Sequence, residues 1–492
     1  MKALYFIFAL CLSGIHLQAQ VFDFNSNCRE AYREIIELQF DKAEKSLEQE
    51  KNTQPGNLIP LYLENYIDFL KIIIGENEEE FRKLEKNKTA RLEKIEEGPG
   101  NSPYLLYSEA NINLQWAIAR IKFEEYFTAF FEIKRAYNKL EKNRELFPGF
   151  YPNMIGLGLL HTMVGTVPDN YQWITQIIGM EGDVNGGIQE LMSFIAAAEK
   201  DEQYRIFIPE GLFFLSFLQM NLETEDGTSK SIEEKIRQLD MESPLLLFVL
   251  SDYYLKEAKN DELLKILEQY KITSDTYPFY YLVYMRGLAK LRKLDPAAIR
   301  DFEIYLRNFK GSSYKASARQ KIAWLHLLQG DTLAYQQEIK RTLDEAGSII
   351  GGDEYAKKEA GSGRIPDAGL LKARILFDGG YFEKSLAVLD SINPEMRSPS
   401  FLTEYYYRYG RNFQEMKKFR QAIDYFSKCI HAGEQLKTYY AANAALQSGI
   451  IYEKTGQTEA ARKSYNQCLE MDFDEYERSI RHKAKARLNS LK

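Results

Sequence analysis

Residues 406–429 read YYRYGRNFQEMKKFRQAIDYFSKC, and residues 445–468 read ALQSGIIYEKTGQTEAARKSYNQC. The two stretches are one pattern written twice. Gly410 and Gly449 are each followed by an aromatic three residues on (Phe413, Tyr452) and an alanine twelve on (Ala422, Ala461). An aromatic follows at sixteen (Phe426, Tyr465) and a cysteine at nineteen (Cys429, Cys468). The copies lie 39 residues apart. A fixed period of about 20–50 residues marks a stacked-repeat architecture, and this length holds a helix, a turn and a second helix. Small residues at the glycine and alanine positions let the two helices of a pair approach, and the aromatics are expected to fill the space between repeats. One pair buries too little apolar surface alone, so neighbours must stack.

The spacing resembles the tetratricopeptide repeat (TPR), and the chain is identified as a member of that superfamily. The resemblance implies an all-α solenoid of antiparallel helix pairs, a right-handed superhelix, with a concave groove lined by first helices that holds a peptide or protein. Acidic, Gly- and Tyr-rich sequence joined to an export leader also resembles exported bacterial TPR proteins. A local block, Gly156-Leu157-Gly158-Leu159-Leu160, then Gly165-Thr166-Val167-Pro168, then Ile178 to Asp183 and Gly187, is similar to one in the eukaryotic TPR group that includes the inclusion-body clearance protein.

Outward from the repeats, the chain divides as follows. Residues 1–20 read as a signal peptide: Lys2 is the positive end, Ala3 to Leu12 the apolar run, Ala19 the small residue near the cleavage point. That run is too short for an ordinary membrane span, and none later qualifies. Residues 21–147 are an N-terminal TPR-like region, with Ala31, Ala43 and Leu47 at repeat positions. Residues 148–187 are a Gly- and aromatic-rich interruption. Helix pairs resume over 188–346, a Gly-rich loop follows at 347–365, the clearest repeats occupy 366–475, and a basic capping helix closes at 476–492. No segment reads as a convincing strand.

Composition narrows function more than it names it. Cleavage removes Lys2 and takes the formal charge from −7 to −8, which speaks against general nucleic-acid binding. Cys28, Cys429 and Cys468 remain, an odd number. The last two share one repeat position, where small core residues are expected rather than a disulfide. No His-Glu-x-x-His, no Gly-x-Ser-x-Gly elbow and no cysteine pair at zinc spacing occurs. Neither a metal nor a cofactor is expected. An enzyme with a dispersed site leaves no local motif, and nothing in the sequence supports one.

The groove is the better candidate. In a TPR pair, the residues three before and one after the small first-helix position face the concave side. That selects Gln320 and Trp324, Leu370 and Arg374, Tyr407 and Arg411, and Leu446 and Ile450, with Glu404 and Asn443 one turn earlier. Arginine forks beside aromatics suit a peptide carboxylate. The leading expectation is therefore a non-enzymatic scaffold in the periplasm or at the outer membrane, holding a protein or peptide partner, with peripheral envelope association and no nucleic acid. The alternative is a small-ligand or glycan pocket around Tyr151, Tyr171 and Trp173.

Overall fold

A computed structural model describes residues 20–165, 179–222, 228–239, 242–347 and 350–491. Its elements are helices; the one β-type pairing among the described residues is an isolated bridge between Val21 and Asn57. Two compact units form, one from residues up to Val249 with Ile272–Phe279, the other from Leu250–Lys271 and Tyr280 onward.

The first unit runs α1 (Ser26–Ile36), α2 (Phe40–Thr53), α3 (Ile59–Gly75), α4 (Glu78–Glu96), α5 (Pro103–Lys122), α6 (Tyr126–Leu146), α7 (Asn153–Gly165), α8 (Val184–Ala198), α9 (Glu202–Arg205), α10 (Ile208–Leu222) and α11 (Thr228–Gln238). The unit boundary falls inside α12 (Pro244–Lys256). The second unit continues with α13 (Asn260–Leu267), α14 (Tyr280–Arg292), α15 (Ala298–Asn308), α16 (Lys315–Leu328), α17 (Thr332–Arg341), α18 (Gly351–Ser362), α19 (Ala368–Asp378), α20 (Phe382–Asp390), α21 (Pro399–Glu415), α22 (Phe419–Gly433), α23 (Tyr439–Lys454), α24 (Thr458–Glu470) and α25 (Glu477–Ser490).

One turn recurs through the chain. Leu38, Glu124, Ala258, Leu294, Gly330, Gly380, Lys417 and Gly456 each take positive φ between the two helices of a pair. The next residue's N–H then donates back to a carbonyl five residues earlier, as in Lys418 to Phe413 (2.8 Å), Gln457 to Tyr452 (2.8 Å) and Gln39 to Glu34 (2.8 Å). This is the Schellman closure, which satisfies carbonyls left over at a helix end. The repeated pattern thus has a backbone cause that outlasts its glycines.

Within a pair, the small residue and the aromatic sixteen on meet directly. A Cβ at Gly410 would stand 2.4 Å from two carbons of the Phe426 ring, and one at Gly449 2.3 Å from the Tyr465 ring, both far inside contact distance. At Gly287 it would stand 2.8 Å from Phe302. Phe426 and Tyr465 therefore seal their own pair, and they also fill the space to the next helices as expected: Phe426 shares a buried cluster with Ala444 and Ile451, and Tyr465 with Ile480 and Ala484. Cys429 and Cys468 are free thiols, fully buried beside them.

Two expectations of interruption give way to helices. The segment 347–365 is not a loop: α18 occupies most of it, and Gly351, Gly352, Gly361 and Gly363 mark its ends. Its buried face docks on α16. Asp353 accepts from the backbone N–H of Tyr314 (2.6 Å) and Ser317 (2.8 Å), so α18 supplies the N-terminal cap that α16 lacks locally. Removing that carboxylate with Asp353→Ala is expected to cost about 1–2 kcal/mol, read as a lower urea midpoint; an unchanged midpoint would count against the cap. Within 148–187 the described residues hold α7 and the first turn of α8, packed closely through glycine, while 166–178 lie outside the described residues. A Cβ at Gly158 would stand 2.7 Å from the Gly187 carbonyl, and one at Gly182 2.6 Å from His161 Cα. The glycines there let two helices touch rather than break the array.

Candidate functional site

In the first unit, the inner face is taken up by the chain itself. Tyr32 and Tyr66 donate to the Glu210 carboxylate at the start of α10, at 2.6 and 2.9 Å. Phe207 packs edge-on and tilted among Phe24, Tyr32 and Tyr107. Glu210 is buried, and burial raises its carboxyl pKa more than the two tyrosine hydroxyls lower it. Tyr151 lies against Tyr204 at 5.7 Å. Tyr171 and Trp173, its companions in the alternative pocket, lie outside the described residues.

The second unit has a differently furnished inner face. Its first helices touch one another: α14 meets α16 and α19, α19 meets α21, and α21 meets α23. Leu370 and Leu446 turn into the cores of their pairs at 3% and 1% exposure among apolar side chains, whereas Gln320 and Trp324, also 3% exposed, are buried against a polar partner on α18. Ile450 packs half-buried against the same core as Leu446. The other sequence-selected residues converge.

The convergence starts at Trp324. Its indole N–H donates to Glu359 of α18 (2.9 Å), which also accepts from Gln320 (2.7 Å) and Tyr335 (3.1 Å). The Lys321 ammonium sits 3.7 Å from the indole centroid, and the Arg374 guanidinium 5.1 Å from it. Such cation–ring contacts are worth about 0.5–2 kcal/mol each. Further along, Arg408 donates to Glu404 (2.9 Å), and Arg411 to Glu415 (3.0 Å) while lying 5.3 Å from the Phe377 ring. Asn443 donates to the Tyr407 hydroxyl (2.7 Å). An aromatic wall runs from Tyr407 to Tyr440, Tyr439 and Tyr476, and on to Tyr355 of α18, with centroids 4.3–5.3 Å apart.

Charge on this face is unevenly matched. Burial works against the charge on Arg408, and Glu404 more than offsets it. Burial also lowers the Lys321 pKa, the Arg374 charge lowers it further, and the ammonium titrates at about 7. Arg374 has Asp378 at 3.8 Å and makes no hydrogen bond among the described residues, while its side chain is 39% exposed.

Sequence spacing missed Lys321, Glu359, Arg408, Tyr439, Tyr440 and Tyr476. Arg408 had a readable signal, the Glu404 four residues before it on one helix face. Glu359 had none, because it lies in the segment read as a loop. No group of three or more metal-ligating side chains occurs among the described residues, and no described helix is long and apolar enough to cross a membrane.

Comparison with known proteins adds a family. Residues 352–487 match the family model described as the SusR N-terminal TPR domain. No curated protein sequence matches the chain significantly. Among solved structures, the crystal structure of the APC/C hetero-tetramer Cut9–Hcn1 is 12% identical over 94% of this chain and 90% of that one. Its TM-score of 0.23 is too low for the likeness to carry an argument. The fold is an all-α, TPR-like array of helix pairs, an architecture suited to protein interaction. The pattern that the sequence writes twice lies wholly within the matched residues, and that stretch, 352–487, is similar to a tetratricopeptide-repeat domain.

Proposed function

We propose that this chain is a non-enzymatic scaffold that holds a protein or peptide partner against the inner face of its second unit. The observation that carries the reading is Arg374. It is a guanidinium with no hydrogen bond among the described residues, set between the Trp324 ring and a tyrosine wall. Rigid aromatics and an arginine with spare donors are what binding hot spots are made of. The first unit's inner face is closed by Glu210 and Phe207, which favours the second unit as the binding surface. The proposed location is the cell envelope of a Gram-negative bacterium, beyond the inner membrane; its support is the leader-like sequence around Lys2 and Ala19.

In-cell crosslinking followed by mass spectrometry tests the surface. A specific partner captured by the wild type is expected to be lost in Arg374→Glu, by tenfold or more at about 1.4 kcal/mol per decade. It should be kept in Arg420→Glu, a reversal at an exposed residue on a second helix. Equal capture by all three proteins would move the interface elsewhere.

A further inference from the structure

Lys321 and Arg374 come from neighbouring first helices and share one indole ring. The ring attracts each cation, but the cations repel one another in a partly desolvated place. The nearby carboxylates are largely spoken for. Glu359 accepts from Gln320, Trp324 and Tyr335, Glu404 serves Arg408, and Glu415 serves Arg411. Asp378 is the exception, and it stands 3.8 Å from Arg374.

The donors are largely unspent. Lys321 gives one hydrogen bond, to the Gln320 side-chain oxygen at 2.6 Å. An ammonium has three N–H groups and a guanidinium five, and Arg374 commits none of its own among the described residues. A carboxylate brings one negative charge and two oxygens. A phosphate monoester brings close to two charges and three strong acceptor oxygens. Two cations against one ring, near enough for the Arg374 charge to act on Lys321 and with this many free donors, match the second ligand in charge and donor number. Arg408 and the hydroxyls of Tyr439 and Tyr440 stand in the electrostatic reach of Arg374, so a dianion here would meet further positive and polar groups.

We propose that Lys321 and Arg374, held together against Trp324, bind the phosphoryl group of a phosphate monoester, with Tyr439, Tyr440 and Tyr476 as the wall beside its organic part. This rests on the reading of the second unit's inner face as the binding surface, and it names the chemistry that face recognises. It has a proton-linked consequence. The charged groups acting on Lys321 are Arg374 and Asp378 on α19, Glu359 on α18 and Arg292 on α14. In the free protein Lys321 titrates at about 7; a bound dianion favours its protonated form and raises that value. The bound state then holds more protons than the free state, so binding weakens as pH rises above about 7.

Calorimetric titration of the full-length mature chain tests this with two probes. Sulfate keeps its double charge throughout the working range, so any pH slope belongs to the protein. Phenyl phosphate adds a ring. Both are expected to bind. Sulfate affinity is expected to fall by up to about tenfold per pH unit above about pH 7. Lys321→Met should abolish that slope and Arg374→Gln should weaken binding of both probes at least tenfold, with thermal melts confirming that the variants fold. Absence of binding by the wild type overturns the proposal, as does binding that neither substitution alters. A phosphotyrosyl tripeptide that binds more tightly than phenyl phosphate assigns the phosphoryl group to a partner chain, whereas equal affinity assigns it to a free monoester; either upholds the site. The two readings fail separately. Lost partner capture in Arg374→Glu with no dianion binding keeps the surface and removes the phosphoryl site. Dianion binding with unchanged capture does the reverse.

Discussion

Replacing Glu132 with glutamine is expected to cost the first unit about 3 kcal/mol or more, because it breaks a buried charge network from its centre. Glu132, on α6, is 2% exposed and accepts from Lys88 on α4 and from Arg120 Nε on α5, the latter at 2.9 Å. Three helices are tied by one carboxylate. Arg120 also donates to Glu85 (2.7 Å) and Glu125, so it keeps anionic partners in the variant. Lys88 has Glu132 as its ion-pair partner and is itself 7% exposed. Burial already lowers the Lys88 pKa despite that partner. Without the carboxylate, Lys88 should shed its proton on folding. A lysine whose native pKa is lowered leaves the native state with fewer bound protons than the unfolded one. Stability of Glu132→Gln should therefore rise with pH toward the ordinary lysine value of about 10.4. Hydrogen exchange over α4, α5 and α6 at two pH values reads both effects. Wild-type protection in the variant would show that the network contributes nothing. A double change, Lys88→Met with Glu132→Leu, should recover most of the loss, since a buried pair replaced by apolar groups is often neutral.

None of that network is marked in the sequence, and the reason is general to this chain. Lys88, Arg120 and Glu132 sit on three helices at separations no repeat spacing predicts. The helix pairs themselves were legible where the helix contact uses glycine or alanine, as at Gly410 and Gly449, and not from their turns. Gly456 supplies the positive φ within the second copy, but Leu38, Glu124, Ala258, Leu294 and Lys417 adopt the same conformation elsewhere. A non-glycine residue there costs roughly 1 kcal/mol, and tertiary packing imposes it without leaving a composition signal. The helix α18 was hidden for the opposite reason: glycines at its ends read as a loop, while Asp353 and Glu359 find their partners 24–39 residues earlier.

The candidate site was half legible on similar grounds. Counting from the small first-helix position located Gln320, Trp324, Arg374, Tyr407 and Arg411, which the fold brings to one face. The same count placed Leu370 and Leu446 there, and they pack inward instead. Three residues on a helix turn the side chain by about 300°, which leaves it on the flank of the face. Whether the flank looks into the groove or into the pair depends on how closely the next first helix approaches. Lys321 and Arg408 lie one residue beyond counted positions and carry the least compensated and the most deeply buried positive charges of the face.

Substituting alanine for Gly410 is the sharpest test of the repeat itself, because two known effects pull in opposite directions. In a helix interior Gly→Ala normally stabilises by about 1 kcal/mol. Here the added methyl would stand 2.4 Å from the Phe426 ring, in a fully buried pair, and overpacking costs about 1–3 kcal/mol beyond that gain. The expected net result is a loss of about 2 kcal/mol, seen in urea unfolding. Gly361, in α18, has no neighbour within 4 Å of a built Cβ, so Gly361→Ala should show the ordinary gain. Opposite signs for one chemical change isolate the contact from the propensity. Coupling supplies the decisive control. Phe426→Leu alone opens a small cavity and costs about 1 kcal/mol. Combined with Gly410→Ala it should cost less than the sum by 0.5 kcal/mol or more, roughly the range seen for residues in contact. Strict additivity would mean that the glycine is not there for the ring. The contact also bears on binding, since Tyr407 and Arg411 flank Gly410 on the same helix. A methyl that pushes α21 off α22 moves both side chains, so Gly410→Ala should weaken partner capture even in molecules that remain folded.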